Sequence, residues 1–88
     1  MNYLHSEFTL GLDDAVEVTL DKQANVRLMD DRNFSLYKRG EKHTYFGGLA
    51  KTSPIRLSPP HAGHWNVVID LGGYSGTVGS SVRVLHHA

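Results

Sequence analysis

The sequence predicts an all-β protein, a compact antiparallel β-sandwich of about seven strands with one short helical turn. Three observations carry that expectation. Trp65, Val67, Ile69 and Leu71 share one face of an extended segment, and Val78, Ser80, Val82 and Val84 share one face of a second, with a glycine-rich turn between them. Val16, Val18 and Leu20 alternate with Glu17, Thr19 and Asp21 in the first half. Glycine and proline recur at short intervals, so no extended segment runs far before a turn.

Taken in order, Leu4, Ser6, Phe8 and Leu10 alternate with polar neighbours and predict the first strand, ended by Gly11 and Asp13-Asp14. The Val16–Leu20 alternation predicts the second. Lys22-Gln23-Ala24-Asn25 reads as a tight connection into a third strand carrying Val26 and Leu28, the spacing of a hairpin of antiparallel neighbours. The period then changes. From Asp30 to Gly40 the chain has cap-type residues first, bases near the end and glycine just beyond, which predicts a helical turn near Asn33–Arg39. Phe34 and Tyr37, three apart, would face the same way as a plug closing one end of the sheet core.

Thr44-Tyr45-Phe46 predicts a short strand ended by Gly47-Gly48. Ile55 and Leu57 flank Arg56 in another, and prolines at 54 and 59–60 suit an edge strand because proline cannot donate to a ladder. Pro60 to Gly63 turns the chain into the Trp65 strand. The whole of 1–88 is expected to form one sandwich domain. A chain of 88 residues without cysteine has neither disulfides nor thiolate metal sites, so packing or a partner chain must stabilise it.

Net charge is zero, which argues against a general binder of nucleic acid or membrane surface. No apolar run approaches the ~18 residues of a membrane span, and the N-terminus lacks a secretory signature, so a cytoplasmic protein with no membrane association is expected. The charge is unevenly spread. Residues 1–37 carry seven acids against three bases, while residues 38–64 carry five bases against Glu41 alone.

That central stretch supplies the candidate binding surface for an anion or a partner: Arg39, Lys42, His43, Tyr45, Lys51 and Arg56. Its bases, with Tyr45 and Phe46 interleaved, are the residue types that hold phosphates and stack bases. Solvated surface is the competing explanation. Six histidines raise the question of a metal, but His61 and His64 lie in a proline- and glycine-rich turn, where an i, i+3 spacing does not bring rings together. No metal and no cofactor is therefore expected. Gly73-Tyr74-Ser75-Gly76 lacks the glycine two residues after serine that a nucleophile elbow requires, and reads as a tight reversal over which Tyr74 packs. No catalytic residue is assigned.

The blocks Val16–Asp21, Gln23–Asp30, Asn33-Phe34 with Tyr37–Gly40, Gly47-Gly48, and Gly63-His64-Trp65 through Gly76 resemble a family of small bacterial proteins classed as a domain of unknown function. The resemblance implies an all-β domain found alone or beside TIR domains, a sensing or docking module with no catalytic residues to transfer. This chain departs from it in being less basic, at Gly79-Ser80 and from Ser58 to Pro60, which weakens a polyanion reading. The expectation is a non-enzymatic binding or protein-interaction module with an unidentified protein partner, able to form a homodimer through an exposed edge. The alternatives are an anion or nucleic-acid (polyanion) binder and a small hydrolase assembled from distant residues.

Overall fold

A computed structural model describes residues 3–73 and 76–86. In chain order the elements are β1 (Tyr3–Leu10), β2 (Ala15–Leu20), β3 (Ala24–Met29), α1 (Asp31–Lys38), β4 (Phe46–Ala50), β5 (Ile55–Leu57), β6 (Gly63–Asp70) and β7 (Ser80–Leu85). They form two antiparallel sheets, one of four strands in the order β1-β6-β3-β4 and one of three in the order β5-β2-β7. The predicted seven-stranded sandwich with one short helix is the observed architecture. The Tyr74 turn and His87 lie outside the described residues.

The core lies between the sheets. Val16 and Val18 of β2 face Leu10, Val26, Leu28, Trp65, Val67 and Ile69 of the larger sheet, and all eight are essentially inaccessible. The alternation of β2 and of β6 thus places the residues it predicted. The expected β2–β3 hairpin does not form. Asp21 to Gln23 arches from one layer to the other, so Val18 and Val26 enter the shared core from opposite sheets instead of side by side. Two half-apolar strands bury more surface face to face than as neighbours in one sheet. The prolines at 54 and 59–60 do bracket an edge strand, since β5 ends the three-stranded sheet.

The helix also differs from its expected place. Asp30 caps it, its Oδ1 accepting from the Asn33 backbone N–H and from Asn33 Nδ2, both at 2.8 Å. Gly40, at φ +71°, closes the other end, where the Glu41 N–H reaches Leu36 O at 2.9 Å. The helix does not plug the end of the sandwich. It joins β3 to β4, neighbours in one sheet whose inner face is already filled, so it covers the outer face. There Phe34 packs on Met29 and Val68, with Tyr37 beside them. As a result β6 is enclosed on both sides, and every residue from Trp65 to Asp70 is buried.

The glycine pair expected to end a strand lies inside one. β4 begins at Phe46 and continues through Gly47 and Gly48 to Ala50. A Cβ at Gly47 would stand 2.3 Å from Val26 O, and φ there is +110°. Absence of a side chain lets β4 lie against β3.

Candidate functional site

Three constellations of polar or aromatic side chains follow from this layout. The first is on the outer face of the four-stranded sheet, beside the helix. Asp70, at the end of β6, is paired in register with Asn25 and lies one diagonal step from Arg27. Its carboxylate accepts from Asn25 Nδ2 at 2.9 Å, Tyr37 Oη at 2.8 Å, the Gly72 N–H at 2.8 Å and the Arg27 guanidinium. Burial works to raise the Asp70 carboxyl. The bonds from Asn25, Tyr37 and Gly72, with the Arg27 charge, outweigh it and hold the group below the ordinary carboxylate range. Burial, and then the bond to Asp70, push the Tyr37 phenol above its ordinary value.

Aromatic rings enclose the arginine. Its guanidinium carbon is 5.7 Å from the centroid of Tyr37 and 5.0 Å from that of Tyr45. His43 lies edge-on to Tyr37 and tilted against Tyr45, with its Nδ1 at 2.9 Å from Glu41 O. Two of the candidate surface residues, His43 and Tyr45, are therefore parts of one structured group.

The other four are dispersed. Arg39 caps α1 and pairs with Glu41 at 2.8 Å. Lys42 precedes His43 in the loop, Lys51 follows β4, and neither forms an ion pair among the described residues. Arg56 lies on β5 in the other sheet. It donates to Glu17 at 3.0 Å, and Arg83 of β7 bonds the same carboxylate at 2.6–2.7 Å. The Arg56-Glu17-Arg83 row crosses the outer face of the three-stranded sheet in register. Both arginines remain 66% exposed over a glutamate they cover, and they hold its carboxyl low, Arg83 first and Arg56 second.

The second constellation is the β4 edge. From Thr44 to Ala50 the chain carries no charge, and Tyr45, Phe46 and Leu49 are 40%, 48% and 55% exposed. Phe46 meets Trp65 edge-on, with centroids 6.2 Å apart, and forms a wall of a half-open cleft of about 210 Å³ that Met29, Asn33, Pro60 and His61 also line. Trp65 also lines the cleft, its Nε1 donating to His61 O at 3.1 Å.

The third gathers Glu7 of β1, Asp31 of α1 and His64 of β6, all exposed, at the opposite edge of the same sheet. Bonds from Asn66 and then from His64 hold the Asp31 carboxyl low. His61 does not join His64; its Nδ1 approaches Ala62 O and its ring packs on Trp65.

Sequence alone does not single out Arg27, Asp70, Glu7, Asp31 and Arg83, because their ion-pair partners are 33 to 66 residues away. One signal was available. Val68 is apolar on the face of β6 opposite Trp65 and Ile69, so that face too had to be covered, and Asp70 and Asn66 share it.

A family model described as a domain of unknown function, DUF1883, matches residues 1–88, so the chain belongs to that family. No curated protein and no solved structure matches the chain. Among the described residues no helix is long and apolar enough to cross a membrane.

Proposed function

We propose that this DUF1883 member is a non-enzymatic interaction module whose working surface is the β4 edge, and that the strand received there is β4 of a second copy. The observation that carries the reading is an edge strand without charge that presents Tyr45, Phe46 and Leu49 to solvent. Edge strands in monomers are ordinarily protected by charge, proline or a covering segment. Thr44 to Ala50 has neither a charge nor a proline.

Self-pairing also fits the side-chain order. Antiparallel pairing about a two-fold axis at Gly48 sets Phe46 opposite Ala50 and Leu49 opposite Gly47, large against small. It sets Lys51 opposite Tyr45, an ammonium beside a ring. No like charges meet. On the same reading the protein works in the bacterial cytoplasm, as the resembling proteins beside TIR domains would.

Gel filtration with light scattering tests this directly. A dimer is expected at tens of micromolar, and Leu49→Lys, which puts two charges at the seam, yields a monomer with an unchanged circular-dichroism spectrum. A wild-type chain that stays strictly monomeric overturns the proposal.

A second reading, contact with a polyanion, draws on Arg56 and Arg83, two exposed guanidinium groups over one carboxylate. Arg39, Lys42, His43 and Lys51 are its other proposed contributors. Salt-sensitive fluorescence-polarisation binding of single-stranded DNA or RNA, weakened by Arg56→Gln, is the expected result. Absence of binding at low salt removes it.

A further inference from the structure

We propose that Glu7, Asp31 and His64 form a site for a divalent transition-metal ion of the zinc class, with His64 Nε2 and the Glu7 carboxylate as direct ligands and Asp31 fixing the imidazole from behind. The site lies at the β1 edge, across the four-stranded sheet from β4, and does not depend on the docking proposal.

His64 Nδ1 is 2.7 Å from Asp31 Oδ1. An ionised carboxylate only accepts, so the hydrogen of that bond is on Nδ1. In neutral imidazole this leaves a lone pair on Nε2, and Nε2 lies 3.4 Å from Glu7 Oε1. A cation seated between these two groups would be bonded by both. For metal–ligand bonds of about 2.1 Å, tetrahedral geometry separates neighbouring ligand atoms by about 3.4 Å. The observed gap has that width, and the ligand atoms of all three residues lie within 4.8 Å of one another.

The supporting residues are also placed as a metal-bound histidine requires. A ligating imidazole commonly donates its other N–H to a carboxylate that sets its tautomer and orientation. Asp31 does this here, and a fully buried residue fixes Asp31 in turn. Asn66 Nδ2 donates to Asp31 Oδ1 at 2.8 Å and to Met29 O at 3.3 Å, while Asn66 Oδ1 is 2.8 Å from His5 Nε2. Imidazole with carboxylate suits zinc, copper or nickel better than calcium or magnesium, which favour all-oxygen sites. Water would complete the coordination.

The rival occupant of the gap is a proton, and titration of the full-length, metal-free protein separates the two. The probe is Zn²⁺ followed by isothermal calorimetry, with His86→Gln and His87→Gln as the background so that the C-terminal pair does not contribute. Saturable one-to-one binding is expected, persisting in excess Mg²⁺. It is abolished by Glu7→Gln and by His64→Gln, and weakened roughly ten- to a hundredfold by Asp31→Asn, the usual consequence of losing an outer-shell partner. His61→Gln leaves it unchanged. Nitrogen-15 spectra of the imidazoles supply a second readout, with Zn²⁺ shifting His64 Nε2 and leaving Nδ1 protonated. No saturable binding, or binding that survives both Glu7→Gln and His64→Gln, overturns the proposal. The three side chains are exposed, and circular dichroism verifies that each variant folds.

Discussion

Arg27 and Asp70 are joined across neighbouring strands, the guanidinium donating to an aspartate side chain that solvent does not reach. The arginine is 17% exposed, so water reaches one partner only. Removing Asp70 leaves a cation, the Asn25 amide and the Tyr37 hydroxyl without their shared acceptor. Asp70→Ala is expected to destabilise the fold by about 3 kcal/mol, the lower end for breaking a buried pair. Tyr37→Phe, which deletes one donor to a charged acceptor, is expected to cost about 1–2 kcal/mol. Urea unfolding followed by Trp65 fluorescence measures both.

Acid stability follows from the same carboxylate. The folded Asp70 and Glu17 carboxyls titrate below their unfolded values. The stability they contribute is complete above the unfolded carboxylate range, near pH 4, and is lost as pH falls through the lower folded values. Asp70→Asn and Glu17→Gln should each flatten that acid limb. Comparing urea midpoints at about pH 7 and about pH 3 for each variant against wild type gives the result. A variant with the wild-type pH difference contradicts the assignment.

Gly47 and Gly48 should respond differently to alanine. At Gly47 the new Cβ meets Val26 O at 2.3 Å, and the backbone sits at φ +110°. At Gly48 φ is +142° and nothing lies within 4 Å. Gly48→Ala should cost about 1–2 kcal/mol of backbone strain. Gly47→Ala should cost clearly more, because β4 must also move away from β3. Thermal unfolding of the two variants ranks them.

Asp30 provides a local test of the helix. Asp30→Ala removes the acceptor for both Asn33 bonds and is expected to cost about 1 kcal/mol, whereas Asp30→Asn keeps an oxygen there and costs less. Hydrogen exchange at the Asn33 N–H should rise in Asp30→Ala before the sheet amides change.

The alternation in β2 and the first face of β6 were legible because each residue there obeys a period of two and needs only a core to face. The second face of β6 was not, because Val68 is explained by a helix that begins 37 residues earlier. The β2–β3 connection misled for a related reason: a short loop specifies that two strands are close, not whether they are neighbours or opposed. Glycine at 47 looked like punctuation, yet its lack of a Cβ serves the approach to Val26 O. Of the candidate surface, His43 and Tyr45 were identifiable by type. The residues that organise them, Arg27 and Asp70, stood in strands whose partners only the assembled sheet defines.

The order of the sheets has a consequence for biosynthesis. β6 lies between β1 and β3, and β7 is one of the two flanks of β2, so each layer waits for its late-arriving member. While the ribosome is still adding residues before Gly63, β1 has no partner in its sheet, and its apolar side must stay unsatisfied or be shielded. β1 therefore cannot be seated in its sheet until β6 has emerged, whereas β3 with β4 and β2 with β5 can pair earlier.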